Sequence, residues 1–239
     1  MSANTERTET NDHLKHTPPD CSLCRHPAPQ PFAELQLPGI GQRHYLHCTN
    51  CDLVWLHPDQ LPAPEQERRH YGTHENNPED AGYRDFLNRL AAPLLACLPR
   101  QEGLSGLDYG CGPGPTLSVM LREAGHRVRD YDPFFLPDQA VLADTYDFIT
   151  CTETVEHFHR PALEFERLNR LLRPAGWLGL MTALRDSGSS SEAFAAWHYV
   201  RDPTHVCFYS LRSMLWLAEH YGWQLSHPAR DVILMRKPD

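Results

Sequence analysis

The eight residues Leu107–Gly114, LDYGCGPG, decide how this chain folds. They close a short strand over Leu104–Tyr109 and lead into a helical pattern, Pro115–Ala124, that Gly125 stops. Glycines let the backbone turn sharply and let a ligand come close, and the helix N-terminus beyond them offers free N–H groups. A P-loop would need Gly-Lys followed by Ser or Thr, which is absent. A dinucleotide loop reads G-x-G-x-x-G, but its third glycine position here is Pro115. The spacing is G-x-G-x-G, so the turn suits a nucleotide-like group without a pyrophosphate.

Downstream, the second strand, His126–Tyr131, ends in RVRDYDP. An acid at that strand's carboxyl end reaches a ribose diol when it lies about 20 residues past the glycines. Asp132 meets that spacing from Gly112; Asp130, on the same face, lies farther from the strand end. Then come an apolar strand (Asp147–Thr152), an amphipathic helix (Pro161–Leu172), a turn (Arg173–Gly176) and another strand (Trp177–Thr182). A helix over Leu211–Tyr221 stops at Gly222, and two short strands (about 223–227 and 231–236) finish the chain. This alternation predicts an α/β, Rossmann-like, mostly parallel sheet with helices on both faces. The run between Asp132 and Tyr146 is too short for a helix plus a strand, so the third-strand region is shortened.

Upstream, Cys21-x-x-Cys24 and Cys48-x-x-Cys51 frame short strand-like stretches. Each pair puts two thiolates on one turn, and two turns complete a tetrahedron around Zn²⁺. Cys21, Cys24, Cys48 and Cys51 are therefore the expected ligands of a closed, structural zinc-ribbon-like module. His44, His47 and His57 flank the pairs and read as packing or surface residues. The expected divisions are a disordered tail (1–19), the zinc module (20–60), a connector and covering helix (61–99), and the main domain (100–239). That helix should begin with Asn77 as N-cap and Pro78 at its first position, and Pro93 should kink or split it.

The net charge of −9 argues against a broad electrostatic grip on nucleic acid. No apolar run approaches the roughly 20 residues needed to cross a bilayer. The polar N-terminus lacks the apolar stretch of a signal peptide. The expectation is a cytoplasmic protein, and eight cysteines in a reducing compartment point to metal or structural roles.

The segments LDYGCGPG, HRVRDYDP and YDFITCTETVEHFHRPALEFERLNRLLRPAGWLGLMT, over about residues 100–183, resemble the class I S-adenosylmethionine (SAM)-dependent methyltransferases. The paired C-x2-C turns ahead of them resemble the zinc-binding domain of some bacterial small-molecule and sugar methyltransferases. The resemblance implies SAM as cofactor and carries roles onto matching positions. Asp108, Tyr109, Gly110, Cys111 and Gly112 would line its methionine and ribose part. Asp132, with Pro133 beside it, would accept hydrogen bonds from the ribose hydroxyls. Cys151, Thr152 and Glu153 would sit beside the sulfonium. Tyr71, His74 and Tyr83 come from the region that in this family covers SAM, although ordinary packing explains them as well. Phe134 or Phe135 could stack on the adenine or simply fill the core.

Methyl transfer is an in-line displacement in which O or N acceptors must also lose a proton, and no metal is required. The acceptor belongs at the carboxyl ends of the strands, near Cys151–Arg160 and the lid-like insertion at about 183–210. His205 is the leading candidate for a general base and His157 the second, because histidine titrates near neutral pH. Packing of the lid is the plain alternative for His205, and loop support or capping for Glu156-His157. The function implied is methyl transfer to a small-molecule O, N or C acceptor. Two alternatives are an RNA methyltransferase gripping its substrate through the zinc module, and a non-catalytic SAM-binding protein. The sequence carries no signal for oligomeric state.

Overall fold

The computed structural model describes residues 19–73 and 76–239. All but the last residue of the expected tail, and His74, lie outside that range. Among the described residues no helix is long and apolar enough to cross a membrane.

Three N-terminal strands, β1 (Gln30–Leu37), β2 (Gly41–His47) and β3 (Val54–Leu56), form an antiparallel sheet. A fourth strand completes it from far along the chain: β8 (Cys207–Phe208) pairs with β3. The cysteine turns precede β1 and join β2 to β3. A buried ion pair fastens this sheet to the insertion: Arg185 Nη2 lies 2.8 Å from Asp52 Oδ1. Asp52 also accepts from Ser210 Oγ at 2.6 Å and lies 2.8 Å from His47 Nε2.

The connector holds a helix, α1 (Pro64–Tyr71), that its Pro and charge content concealed. The covering helix, α2 (Ala81–Cys97), starts later than Asn77 predicts. Asp80 is the N-cap instead, its carboxylate accepting from the N–H groups of Gly82 and Tyr83. Pro93 does not split α2. Leu87, Leu90 and Leu94, on both sides of it, are buried in one core, and that packing outweighs the lost backbone bond.

The main sheet has the order β5-β4-β6-β7-β10-β9. Strands β4 (Ser105–Tyr109), β5 (Arg127–Tyr131), β6 (Tyr146–Thr152) and β7 (Leu172–Met181) are parallel. Strands β9 (Gln224–Ala229) and β10 (Val232–Arg236) close it antiparallel. Helices α3 (Thr116–Glu123), α4 (Pro161–Leu171), α5 (Ser191–Ala196) and α6 (Leu211–Tyr221) complete the elements. Side-chain alternation splits the interior into two cores. Phe148, Met181 and Leu234 meet α2 and α3 on one face, while Ile149, Leu180, Ile233 and Met235 meet α4 and α6 on the other. This is the α/β, Rossmann-like sheet that the sequence implies.

Two local differences have clear causes. The Arg173–Gly176 turn is a bulge inside β7, with pairing to β6 resuming on its far side. Between Asp132 and Tyr146 there is no strand, only a short 3₁₀ turn over Gln139–Ala143 that Asp138 caps. Strand β5 is therefore an edge, with the Arg129–Asp144 ion pair beside it.

Candidate active site

The loop between β4 and α3 takes the conformation its glycines permit. Gly110 has φ +80° and Gly112 φ +66°. A Cβ on Gly110 would stand 2.2 Å from Thr154 Cγ2, so both the backbone and the packing require glycine there. Gly114 packs as closely on Asn76, where a Cβ would meet the backbone oxygen at 2.2 Å. Asn76 thus leads the chain toward α2 across the mouth of the loop.

Two carboxylates organise this end. Asp108 is buried at the end of β4 and accepts from Thr150 Oγ1 at 2.7 Å and from Ser118 Oγ at 3.3 Å. Burial, with Asp130 close by, pushes its pKa up to about 6 despite those hydrogen bonds. Asp132 is buried just past β5 and takes the Gly112 N–H on Oδ2 at 3.1 Å. Its Oδ1 takes the N–H groups of Phe134 and Phe135 at 2.8 and 3.0 Å. One acid therefore ties the glycine loop to the turn after β5. Asp130 points elsewhere, to Ser118 and Arg122.

Beyond the loop opens a cavity of about 600 Å³, the size of a small-molecule site. Its wall includes the predicted Asp108, Tyr109, Gly110, Cys111, Gly112, Asp132, Pro133, Thr152, Glu153 and Tyr83. His157 and His205 line it as well, although 48 residues separate them in sequence. Cys151 does not: it is wholly buried in β6, and only its neighbour Thr152 reaches the opening. Phe134 and Phe135 are half-buried wall residues rather than core, and Phe134 lies 5.7 Å from the Tyr71 ring.

The far end of the cavity is polar. Burial lowers the pKa of both His157 and His205. Their ring centroids are 4.8 Å apart. Glu153 adopts φ +47°, and burial together with nearby Glu156 raises its carboxyl to about 8. Tyr199 donates to Glu156 and lies 3.4 Å from Glu153 Oε2. Sequence reading missed several wall residues. Glu67 of α1 is buried and holds His159 at 3.1 Å. Glu164 and Arg167 of α4 grip the Tyr109 hydroxyl. Only the i, i+3 spacing of the last pair left a trace in the sequence.

The four cysteines converge. Cys21 and Cys51 Sγ are 3.6 Å apart, Cys24 and Cys48 Sγ 3.4 Å, and all four sulfurs lie within 4.8 Å of one another. Sulfurs on a tetrahedral Zn²⁺ with bonds of about 2.3 Å stand about 3.8 Å apart, so the set fits. The two turns are built alike. The residue after each pair, Arg25 or Asp52, has φ near +60° and donates its N–H to the first cysteine's carbonyl.

A strand, a glycine turn and an acid on the next strand, with a parallel sheet beneath, define the fold and cofactor-type cavity of class I SAM-dependent methyltransferases. Residues 76–227 match a family model described as a methyltransferase domain, and the chain belongs to that family. It is 29% identical over 124 residues to the ubiquinone biosynthesis O-methyltransferase of Leptothrix cholodnii, covering 41% of this chain and 52% of that protein. It is likewise 29% identical over 154 residues to the same-named protein of Nitrosospira multiformis, covering 53% and 58%. The chain thus spans between half and three fifths of these relatives. Among solved structures it resembles the 1,6-didemethyltoxoflavin N1-methyltransferase of Burkholderia thailandensis, which holds its substrate and S-adenosylhomocysteine. The TM-score is 0.51 at 17% identity, covering 86% of this chain and 99% of that one. The phosphoethanolamine N-methyltransferase 2 of Haemonchus contortus gives a TM-score of 0.52 at 14% identity, covering 87% and 71%. Both likenesses are of fold.

Proposed function

We propose that this protein transfers the methyl group of SAM to a small-molecule acceptor, with oxygen favoured by the O-methyltransferase relatives. The observation that carries this reading is a single cavity joining the glycine loop to His157 and His205. Bound SAM supplies a methyl group activated on a sulfonium. Its ribose hydroxyls would donate to Asp132, whose carboxylate retains acceptor capacity beyond its three backbone bonds. Asp108, Tyr109, Gly110, Cys111 and Gly112 would flank the methionine and ribose. Thr152 and Glu153 would stand beside the methyl path, with Tyr83 and Pro133 closing the sides. His205, with His157 next to it, would receive the acceptor: burial lowers the pKa of both imidazoles and so favours the neutral form, the one that can accept a proton.

The Cys21, Cys24, Cys48 and Cys51 cluster would hold a structural Zn²⁺, which its sulfur spacing supports. With four protein ligands it leaves no open position for chemistry. The test is incubation of the protein with radiolabelled SAM and cell extract, separated into small-molecule and RNA fractions. Label in the small-molecule fraction is expected. Label in RNA alone would overturn the acceptor class, and none in either would count against transfer.

A further inference from the structure

We propose that Glu164 and Arg167 of α4 are the specificity-determining pair for the base of SAM, reading the purine edge that carries the 6-amino group. The inference rests on the methyltransferase reading and deepens it. It assigns base recognition to a helix, in a chain whose segment after β5 offers no side chain for that task.

The acid that would hold the ribose fixes where a base must lie. Asp132 follows Tyr131 at the end of β5, so a purine on that ribose would extend over this corner of the cavity. The chain from 133 to 145 lines the cavity only with Pro133, Phe134 and Phe135, none of which has a side-chain donor or acceptor. Its polar side chains are engaged elsewhere. Asp138 caps the 3₁₀ turn, Gln139 lies 3.4 Å from the Tyr131 hydroxyl, and Asp144 pairs with Arg129. Phenylalanine rings can cover the face of a base, but stacking does not tell one purine from another.

The polar groups come from α4. Tyr109 ends β4 beside Tyr131, with ring centroids 5.1 Å apart. Its hydroxyl donates to Glu164 Oε2 and accepts from Arg167 Nη1 at 2.8 Å. Arg167 Nη1 also donates to Glu164 Oε2 at 2.7 Å, which closes a ring of three bonds. A solvated i, i+3 ion pair on a helix needs no buried hydroxyl to hold it. Here Tyr109, only 4% exposed, locks both side chains against the cavity wall. Each keeps an unused atom: Glu164 Oε1 and Arg167 Nη2 have no partner among the described residues. What the cavity is offered is an acceptor beside a donor.

A 6-amino purine presents the complement, since its amino group donates and the neighbouring ring nitrogen accepts. A 6-oxo purine reverses the pattern: its oxygen accepts and the neighbouring ring nitrogen carries hydrogen. The Glu164 carboxylate would then face an oxygen and lose its bond, and a site built to hydrogen-bond one pattern rejects the other.

The test compares S-adenosylhomocysteine with S-inosylhomocysteine, which differ only in the amino or oxo group and carry no transferable methyl. Each is titrated calorimetrically into the full zinc-loaded chain. Wild type should prefer the adenosyl compound by at least about tenfold. Glu164→Gln should bind the inosyl compound at least about fivefold tighter than wild type does, because its amide offers a donor where the carboxylate offers none. A merely structural role for Glu164 predicts no such gain. Should that variant fail to melt near the wild-type temperature, Arg167→Met carries the test and should cut the preference at least about threefold. Equal binding of the two compounds by wild type, or an unchanged ratio in a well-folded variant, overturns the proposal and leaves the methyltransferase reading intact. Binding of neither compound by folded wild type sinks that reading and the proposal with it.

Discussion

Replacing Arg185 with Met should destabilise the protein by about 3–5 kcal/mol, because it strands a buried carboxylate. The Arg185 and Asp52 side chains are only 3% and 4% exposed. Arg185 Nη2 reaches both Oδ1 of Asp52 at 2.8 Å and its backbone oxygen at 2.7 Å, while Nη1 holds Asp186 O at 3.0 Å. Methionine fills much of the same volume, so the loss reflects charge and hydrogen bonds more than packing. Asp52 would retain only His47 and Ser210 as partners. Such a loss is a large share of the roughly 5–15 kcal/mol that typically holds a domain together. The assay is urea unfolding of wild type, Arg185→Met, Asp52→Asn and the double variant. Neutralising Asp52 as well removes the stranded charge, so the double variant should lose at least about 1 kcal/mol less than the two single losses added. A single-variant loss below about 1 kcal/mol, or simple additivity, would refute the claim that this ion pair clamps the cysteine module to the insertion.

SAM affinity should fall as pH drops through about 6. Burial raises the Asp108 pKa to about that value, so acidification protonates it and removes an anion beside the cationic methionine amine; calorimetry at pH 5 and 7.5 tests this, and Asp108→Asn should flatten the profile. For the free protein the sign is opposite. A carboxyl whose folded pKa is raised favours the fold below its unfolded value near 3.8, and that contribution is lost as pH rises through about 6. Gly110→Ala should cost about 2–5 kcal/mol in denaturant unfolding, combining positive φ with the Thr154 clash. Gly222→Ala, at φ +69° with open space around it, should cost only about 1–2 kcal/mol. Metal analysis should find one zinc per chain held by the cysteines, and chelation under mild denaturant should lower the melting temperature; no zinc after chelator-free purification would remove the structural metal.

The parts of this protein set by local rules could be read in advance. The glycine loop, the Gly222 stop, the cysteine spacing and the alternation of strand and helix each follow from a few adjacent residues. Features set by distant partners could not. Nothing in Cys207–Phe208 announces that it will pair with β3, since two residues carry no periodicity. The helix at Pro64–Tyr71 hid in a charged stretch because its one buried acid, Glu67, is held by the distant His159 as well as by Tyr71 of the same helix. Asp132 was recognisable by spacing, but its cage of three backbone N–H groups depends on how the chain turns after β5. His157 and His205 were each visible as titratable residues. Their convergence depends on two distant loops meeting, where the Val206 N–H bonds the Glu156 carbonyl and His157 bonds that of Thr204.

The most direct test of the central claim is a calorimetric titration of SAM into the purified full-length chain. Saturable one-to-one binding is expected, with a dissociation constant within the usual micromolar-to-millimolar range of enzyme substrates. No saturable heat up to about 1 mM SAM, from protein shown to be folded, would contradict it.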